Sequence, residues 1–367
     1  MQSSRLWEPL KIAGVEVKHR IGMPGLSRFR ASDEHVPTDM MREYYGQRSQ
    51  VPGTLLITEA GLISPSAGGF PNGPGLWSEQ QIEGWRRVTR EVHRNACVII
   101  CQLIHVGRAA SPKIAEKEGF DIVSASPIPY DDDAPVPKML STADIDRIAN
   151  DFARAAENAI SAGFDGVELH GGNGYLIDCF IQDVSNSRTD EYGGSVRNRS
   201  RFVTQVMKAV SDAIGSHRVG IRLSPWSRFQ GMRMTDPIDQ FSYVITAAQE
   251  IGLGYIHLIE ARVHNNVDLE HPVDETLDFA IRLWSGPILL AGGYRPENAR
   301  FTVDQKFPDK DIIVMFGRYF IANPDLVFRI REGVDLANYD RSNFYAILDP
   351  AGYTDYPYSK AFLTASR

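Results

Sequence analysis

Short apolar runs rich in β-branched residues recur along the chain, and the segments between them repeat apolar residues at helical spacing. The runs are Ile21 to Pro24, Thr54 to Thr58, Cys97 to Leu103, Gly166 to Leu169, Val219 to Ser224, Tyr255 to Ile259, Pro287 to Ala291 and Ile312 to Phe316. Each predicts a strand, and the alternation with helices predicts βα units in a parallel sheet. One helix is read from Ser141, a capping residue, through Ile145, Ile148, Phe152, Ala156 and Ile160 until Gly163 stops it. A second is predicted from Ser195 to about Ile214. Eight such units predict a TIM (β/α)8 barrel, ahead of a doubly wound sheet. No linker, repeat or low-complexity stretch divides residues 1–367, so a single domain is expected.

Segments outside this rhythm predict accessory structure. Leu10 to Ile12 and Val15 to Val17, around Ala13-Gly14, read as an N-terminal hairpin that plugs the lower mouth of the barrel. The excursion 104–140 carries Pro112, Pro127, Pro129, Pro135 and Pro137, and an insertion after a barrel strand predicts a lid. Its Asp131-Asp132-Asp133 tip reads as a solvated loop, because three adjacent carboxylates point in different directions. Residues 335–367 form a C-terminal tail.

Polar residues and glycines collect just past the carboxyl ends of the predicted strands, where barrels build active sites. In order these are Ser27 and Arg28; Glu59; Gln102 and His105; His170, Asn173 and Tyr175; Arg222; Glu260 and Arg262; Gly292 and Gly293; Gly317 and Arg318. His170 and Asn173 can both donate to one oxygen, and Tyr175 adds a weakly acidic hydroxyl on the same loop. This set suits a carbonyl that gathers negative charge. The plainer reading is a glycine turn with a capping histidine and a half-buried tyrosine. The glycine pair after the seventh strand and Gly317-Arg318 after the eighth occupy the usual phosphate position of barrels. Arg222 lies in an apolar frame and requires a counter-ion, for which a cofactor's negative charge would serve.

Composition narrows the classes. With 43% hydrophobic residues the chain can bury a large core, and 39 basic against 46 acidic residues leave a net charge of -7 with no basic block for nucleic acid. The apolar runs are too short to cross a bilayer, and the N-terminus lacks a signal core, so no membrane partner and a cytoplasmic location are expected. Cys97, Cys101 and Cys179 lack metal or redox spacing and read as reduced packing residues. The dinucleotide fingerprint, the P-loop and the nucleophile elbow are all missing. Glu59, Glu168 and Glu260 invite a paired-carboxylate hydrolase, which leaves Gln102, Arg222 and the phosphate-type loops unexplained.

Over nearly its whole length the chain resembles the Old Yellow Enzymes, a family of flavin-dependent ene-reductases. The stretches that carry the resemblance are MPGLSRFRA (Met23 to Ala31), PGTLLITEA (Pro52 to Ala60), CQLIHVGR (Cys101 to Arg108), HGGNGYLIDCF (His170 to Phe180), SRTDEYGGS (Ser187 to Ser195), VGIRLSP, LLAGGY and FGRYFIANPDL. The EYYGQR motif (Glu43 to Arg48) and the tail from YDRSNFY to GYTDYP are most similar to the fungal branch, including ergot-pathway aldehyde reductases.

Membership implies bound FMN, transient reduction by NADPH, and a small enal or enone substrate. By position, Pro24, Gly25, Ser27, Gln102, His170 and Arg222 would surround the flavin, and Gly292, Gly293, Gly317 and Arg318 its phosphate. By the same resemblance Ser27 would hydrogen-bond flavin O4, Gln102 would meet the pyrimidine edge, and Arg222 the N1/O2 region, where reduced flavin gathers charge. His170 and Asn173 would hold the substrate carbonyl while the flavin reduces the β-carbon, and Tyr175 would protonate the α-carbon. Ile104 replaces a frequent tryptophan and would reshape the substrate pocket, which Tyr345 would also line. Cys179 stands where glutamine is frequent. The implied activity is ene reduction, with fungal secondary metabolism and alkaloid biosynthesis as its setting. A flavin-dependent isomerase or another net non-redox or oxidative tailoring enzyme is the alternative. Fungal relatives imply a monomer or a homodimer.

Overall fold

The computed structural model describes residues 4–261, 263–264, 267–268 and 275–365. The predicted runs are strands: β1 (Ile21–Met23), β2 (Leu55–Ile57), β3 (Val98–Ile104), β4 (Gly166–Gly171), β5 (Val219–Leu223), β6 (Tyr255–Ile259), β7 (Ile288–Ala291) and β8 (Ile312–Met315). Each pairs in parallel with the next. Val314 opposite Ile21 and Met315 opposite Gly22 join β8 to β1 and close an eight-stranded barrel.

The barrel interior is apolar below and polar above. Leu55, Ile57, Val98, Ile100, Leu289 and Ile313 form one buried cluster with Ile12, Ala13 and Val17 of the hairpin Leu10–Ile12/Val15–Val17. Ala13 and Gly14 have φ of 51° and 80°, the left-handed pair that a two-residue hairpin turn of this kind requires. A Cβ on Gly166, the first residue of β4, would stand 3.2 Å from the Ala13 Cβ, so the hairpin lies against the amino end of that strand.

Higher up, strand register places Gln102 opposite Glu168, and His170, Arg222 and His257 in one row across β4, β5 and β6. Side chains two residues apart share a face, so Glu168 and His170 both turn to the interior. Gly220 serves this level by lacking a side chain: a Cβ there would come within 2.2 Å of the Tyr255 ring. The Tyr255 hydroxyl can therefore reach across β5 and donate to Glu168 Oε2 at 3.3 Å.

The helix Thr142–Ser161 follows the predicted pattern, with the Ser141 side chain accepting from the Asp144 N–H and Ile145, Ile148, Phe152 and Ala156 buried. The helix expected from Ser195 to Ile214 is instead two pieces, Val196–Arg199 and Arg201–Ile214. At the break, Ser200 Oγ donates to the Val196 carbonyl at 2.8 Å, a back-bond of the kind that bends helices. The excursion after β3 also differs from a simple lid. It forms a helix, Pro112–Glu118, and a short parallel pair, Val123–Ser124 with Lys138–Met139, and packs beside the upper rim with Arg108 donating to the Gln230 carbonyl at 3.0 Å. Among the described residues, no helix is long and apolar enough to cross a membrane.

Three buried arginines tie the C-terminal tail to the start of the barrel. Arg28 donates to the carbonyls of Phe344 (3.0 Å) and Gly352 (2.7 Å). Arg30 donates to those of Asp349 (2.9 Å), Phe344 (2.9 Å), Asn343 (3.1 Å) and Ala351 (3.2 Å). Arg48 reaches Phe320 O at 3.1 Å and Tyr353 O at 3.3 Å, and Tyr353 stacks on Tyr44 at 4.1 Å between ring centres. A guanidinium suits this task because its fork of donors serves several carbonyls that would otherwise be buried unpaired. Replacing Arg30 by methionine keeps the volume and removes every donor. The expected cost is roughly 3 kcal/mol, since charge-assisted bonds are lost and their carbonyl partners stay buried. A urea midpoint equal to that of the unaltered protein would show that the tail is held by other means.

Candidate active site

A cavity of about 530 Å³ opens at the carboxyl ends of the strands and gathers the residues singled out in the sequence. It is lined by Pro24, Gly25 and Ser27 after β1, Gln102 and Ile104 from β3, and His170, Asn173 and Tyr175 from β4 and its loop. Arg222 of β5, Gly292 and Gly293 after β7, Gly317 and Arg318 after β8, and Tyr345 from the tail complete the set. Of the excursion 104–140, Ile104 is the one residue in this wall. Glu59, Glu168 and Glu260 do not line it, so among the described residues the paired-carboxylate reading has no acid facing the cavity. Arg262 lies outside the described residues.

The loop after β4 is built to hold its polar groups in place. Asn173 has φ of 57° and Gly174 of 76°, so the chain turns sharply after β4. The Asn173 N–H donates to Ser224 Oγ at 2.7 Å, and the Gly174 N–H to Asp178 Oδ2 at 2.8 Å. A Cβ on Gly172 would stand 2.7 Å from Ser224 Oγ, which is why the neighbouring strand can approach so closely. Cys179 finds its purpose here. Its buried thiol donates to the Gly174 carbonyl at 3.1 Å, and burial pushes its pKa up to about 11. It braces the loop as an inert thiol rather than a nucleophile.

Electrostatics set the protonation of this loop. Burial, followed by the Arg222 and His257 charges, holds the His170 imidazole well below its ordinary pKa, so the ring is neutral. The Gly172 N–H points at its Nδ1 at 3.5 Å, which leaves the ring proton on Nε2. Tyr175 meets the His170 ring edge-on at 4.8 Å. Burial, and then the neighbouring Tyr345, push the Tyr175 phenol up to about 12. The wall thus offers neutral donors and a held proton.

The remaining groups fit a flat heterocycle carrying a phosphate, as FMN is. Arg222 Nη1 donates to the Gly25 carbonyl at 3.3 Å, while its buried Nε has no partner among the described residues. A Cβ on Gly25 would stand 2.8 Å from the Gln102 amide, so glycine leaves that amide room beside the cavity. Gly292 and Gly293 adopt φ of 119° and 62°, backbone shapes that favour glycine. Gly317 precedes the short helix Arg318–Ala322, and Arg318 donates to the Tyr339 hydroxyl at 3.1 Å.

Several wall residues escaped the sequence reading: Phe29, Phe70, Gln230, Tyr294, Arg341 and Phe344. Phe29 has φ of 58°, uncommon for a bulky residue, and this turn sends its ring to the cavity while Arg28 and Arg30 on either side face the tail. Its ring lies 5.6 Å from Phe70 and 5.4 Å from Tyr345, and Phe70 lies 5.9 Å from Tyr175. The family-like stretch Met23 to Ala31 contains Phe29, and that was its one sequence signal. Tyr345, 56% exposed, sits at the outer end of this aromatic row.

Similarity to known proteins agrees with this geometry. A protein of Penicillium roqueforti named "Chanoclavine-I aldehyde reductase fgaOx3" is 48% identical over 365 residues, covering 99% of this chain and 98% of that protein. An Aspergillus flavus protein named "NADP-dependent oxidoreductase lnbE" is 46% identical, covering 97% of each. The crystal structure of Old Yellow Enzyme from Pichia sp. AKU4542 superposes with a TM-score of 0.90 at 34% identity, covering 97% of this chain and 94% of that one. Residues 5–337 match the family described as NADH:flavin oxidoreductase / NADH oxidase. With its closed barrel, the polar cavity at its carboxyl face and these relatives, the chain belongs to the NADH:flavin oxidoreductase / NADH oxidase family, the flavin oxidoreductases that include Old Yellow Enzyme.

Proposed function

We propose that this flavin oxidoreductase is an NADPH-dependent ene-reductase that saturates the C=C bond of an α,β-unsaturated aldehyde or ketone. The observation that carries the reading is the convergence of His170, Asn173 and Tyr175 on the same cavity as Gln102 and Arg222. The names of two relatives, an aldehyde reductase and an NADP-dependent oxidoreductase, support the substrate class and the reductant. The chain would act as one FMN-binding barrel domain, with the 335–367 tail completing the cavity rim, as a cytoplasmic monomer or homodimer.

In this reading Pro24, Gly25, Ser27, Gln102 and Arg222 hold the ring system, and Gly292, Gly293, Gly317 and Arg318 the phosphate. Bound FMN supplies the hydride chemistry in both directions. The protein's part is to hold the substrate and move its proton. Neutral His170, through Nε2–H, and the Asn173 amide donate to the substrate carbonyl oxygen and stabilise the charge that builds there. Tyr175 keeps its proton on the hydroxyl and gives it to the α-carbon. Ile104, Phe29, Phe70 and Tyr345 form apolar walls for the rest of the substrate.

Tyr175→Phe should separate the two halves of turnover. Reoxidation of the reduced enzyme by an enal should slow by about a hundredfold or more, the scale of a lost general acid. Reduction by NADPH should change little. Equal loss in both halves would make Tyr175 a structural residue. Because the Tyr175 pKa is raised to about 12, its proton is retained at neutral and moderately alkaline pH and is lost only as pH climbs through that value. His170, held well below its ordinary pKa by burial and then by the Arg222 charge, stays neutral as pH falls through the usual imidazole range. The enal half-reaction measured from about pH 6 to pH 9 should therefore be flat. A fall across that window would assign the proton to another group.

A further inference from the structure

We propose that Glu168 is a positioning residue that works from beneath the cavity. It fixes which atom Gln102 presents to the ring system and tempers the positive charge of Arg222. The inference rests on the FMN reading above and concerns a residue that touches neither cofactor nor substrate.

Glu168 is fully buried, and its carboxylate accepts three bonds. Gln102 Nε2 donates to Oε1 at 2.7 Å, His257 Nδ1 meets Oε2 at 2.9 Å, and the Tyr255 hydroxyl approaches Oε2 at 3.3 Å. A carboxylate only accepts, so it dictates the sense of the Gln102 amide: Nε2 turns down to Glu168 and Oε1 is left for the cavity. An acceptor at that point suits a ring N–H such as the one on the pyrimidine edge of an isoalloxazine. A donor there would oppose it.

The second effect is electrostatic. In strand register Arg222 sits beside His170 and His257, and Glu168 is the carboxylate whose charge acts on it. Burial opposes charge on both Glu168 and Arg222. For Glu168, the His257 contact, the Arg222 charge and the Gln102 bond outweigh that cost and hold the group below its ordinary pKa, as a carboxylate. An uncompensated Arg222 would bind the electron-rich, reduced flavin too strongly relative to the oxidised form. Glu168 offsets part of that charge, and so sets the balance between the two. The bare Gly220 lets the Tyr255 ring pass, so that its hydroxyl adds an outer bond to the carboxylate.

Glu168→Gln tests both effects in the FMN-loaded full chain. Its new amide can donate to Gln102 Oε1 and turn Nε2 toward the cavity, so the dissociation constant for oxidised FMN should rise at least tenfold. The loss of negative charge should favour the reduced flavin by a factor of about ten relative to the oxidised, a midpoint potential about 30 mV more positive for a two-electron couple. Tyr255→Phe removes only an outer bond and should leave the potential in place. Glu168→Asp keeps the charge and shortens the reach. It should weaken FMN binding while holding the potential, and it serves as the test if the glutamine variant does not fold.

A folded Glu168→Gln holoenzyme with unchanged potential and FMN affinity would make Glu168 merely structural and overturn the proposal. An aspartate variant that binds FMN as tightly as the parent, or whose potential moves as the charge-free variant's is expected to, would overturn it as well. Failure of the flavin reading is distinguishable, because the parent protein would then bind no FMN.

Discussion

A cation inside a barrel is the constraint around which this molecule is arranged. Arg222 rises from β5 between His170 and His257, above the apolar lower layer of the barrel interior. An unpaired buried charge costs several kcal/mol, so the surroundings must compensate it. Glu168 does so from the next strand, and the Gly25 carbonyl accepts from its tip. Among the described residues the Nε of Arg222 has no partner, and Arg222 lines the cavity. The same positive charge depresses the His170 pKa and helps keep that ring a neutral donor. One guanidinium thus links the Gly25 side of the cavity to its His170 side.

The second organising feature is the backbone turn at Phe29. Residues on either side of it are buried arginines that grip the carbonyls of the tail, and Phe29 itself faces the cavity. Holding the tail brings Phe344 and Tyr345 to the rim, so the aromatic row from Tyr175 through Phe70 and Phe29 to Tyr345 depends on contacts made outside the cavity. Glu59 belongs to this region. It accepts from the Arg28 N–H at 3.3 Å, and burial pushes its pKa up to about 7, the signature of a supporting group enclosed in protein.

Much of this was legible in the chain because a barrel strand is a dense local signal. Runs such as Val219 to Ser224 leave little room for another assignment, and polar residues just past them fall on the working face by geometry. The residues that escaped lack such a period. Phe70 and Gln230 sit in loops whose course depends on distant contacts. The left-handed turn at Phe29 has no sequence signature of its own. The break at Ser200 turns on one side-chain bond inside an otherwise helical pattern. Cys179, unexplained as a substitution, became intelligible once the Gly174 carbonyl was seen above its thiol. For Arg222 the chain demanded a counter-ion, and the fold supplies a protein carboxylate as well as an open cavity.

The most direct test of ene-reductase function is an anaerobic count of electrons. FMN-loaded protein is bleached by one equivalent of NADPH and then mixed with an α,β-unsaturated aldehyde while the flavin absorbance and the product are followed together. The account predicts that the yellow colour returns, with one saturated aldehyde formed per NADPH consumed. Flavin that NADPH does not reduce, reduced flavin that no enal or enone reoxidises, or product formed without net NADPH consumption would contradict it.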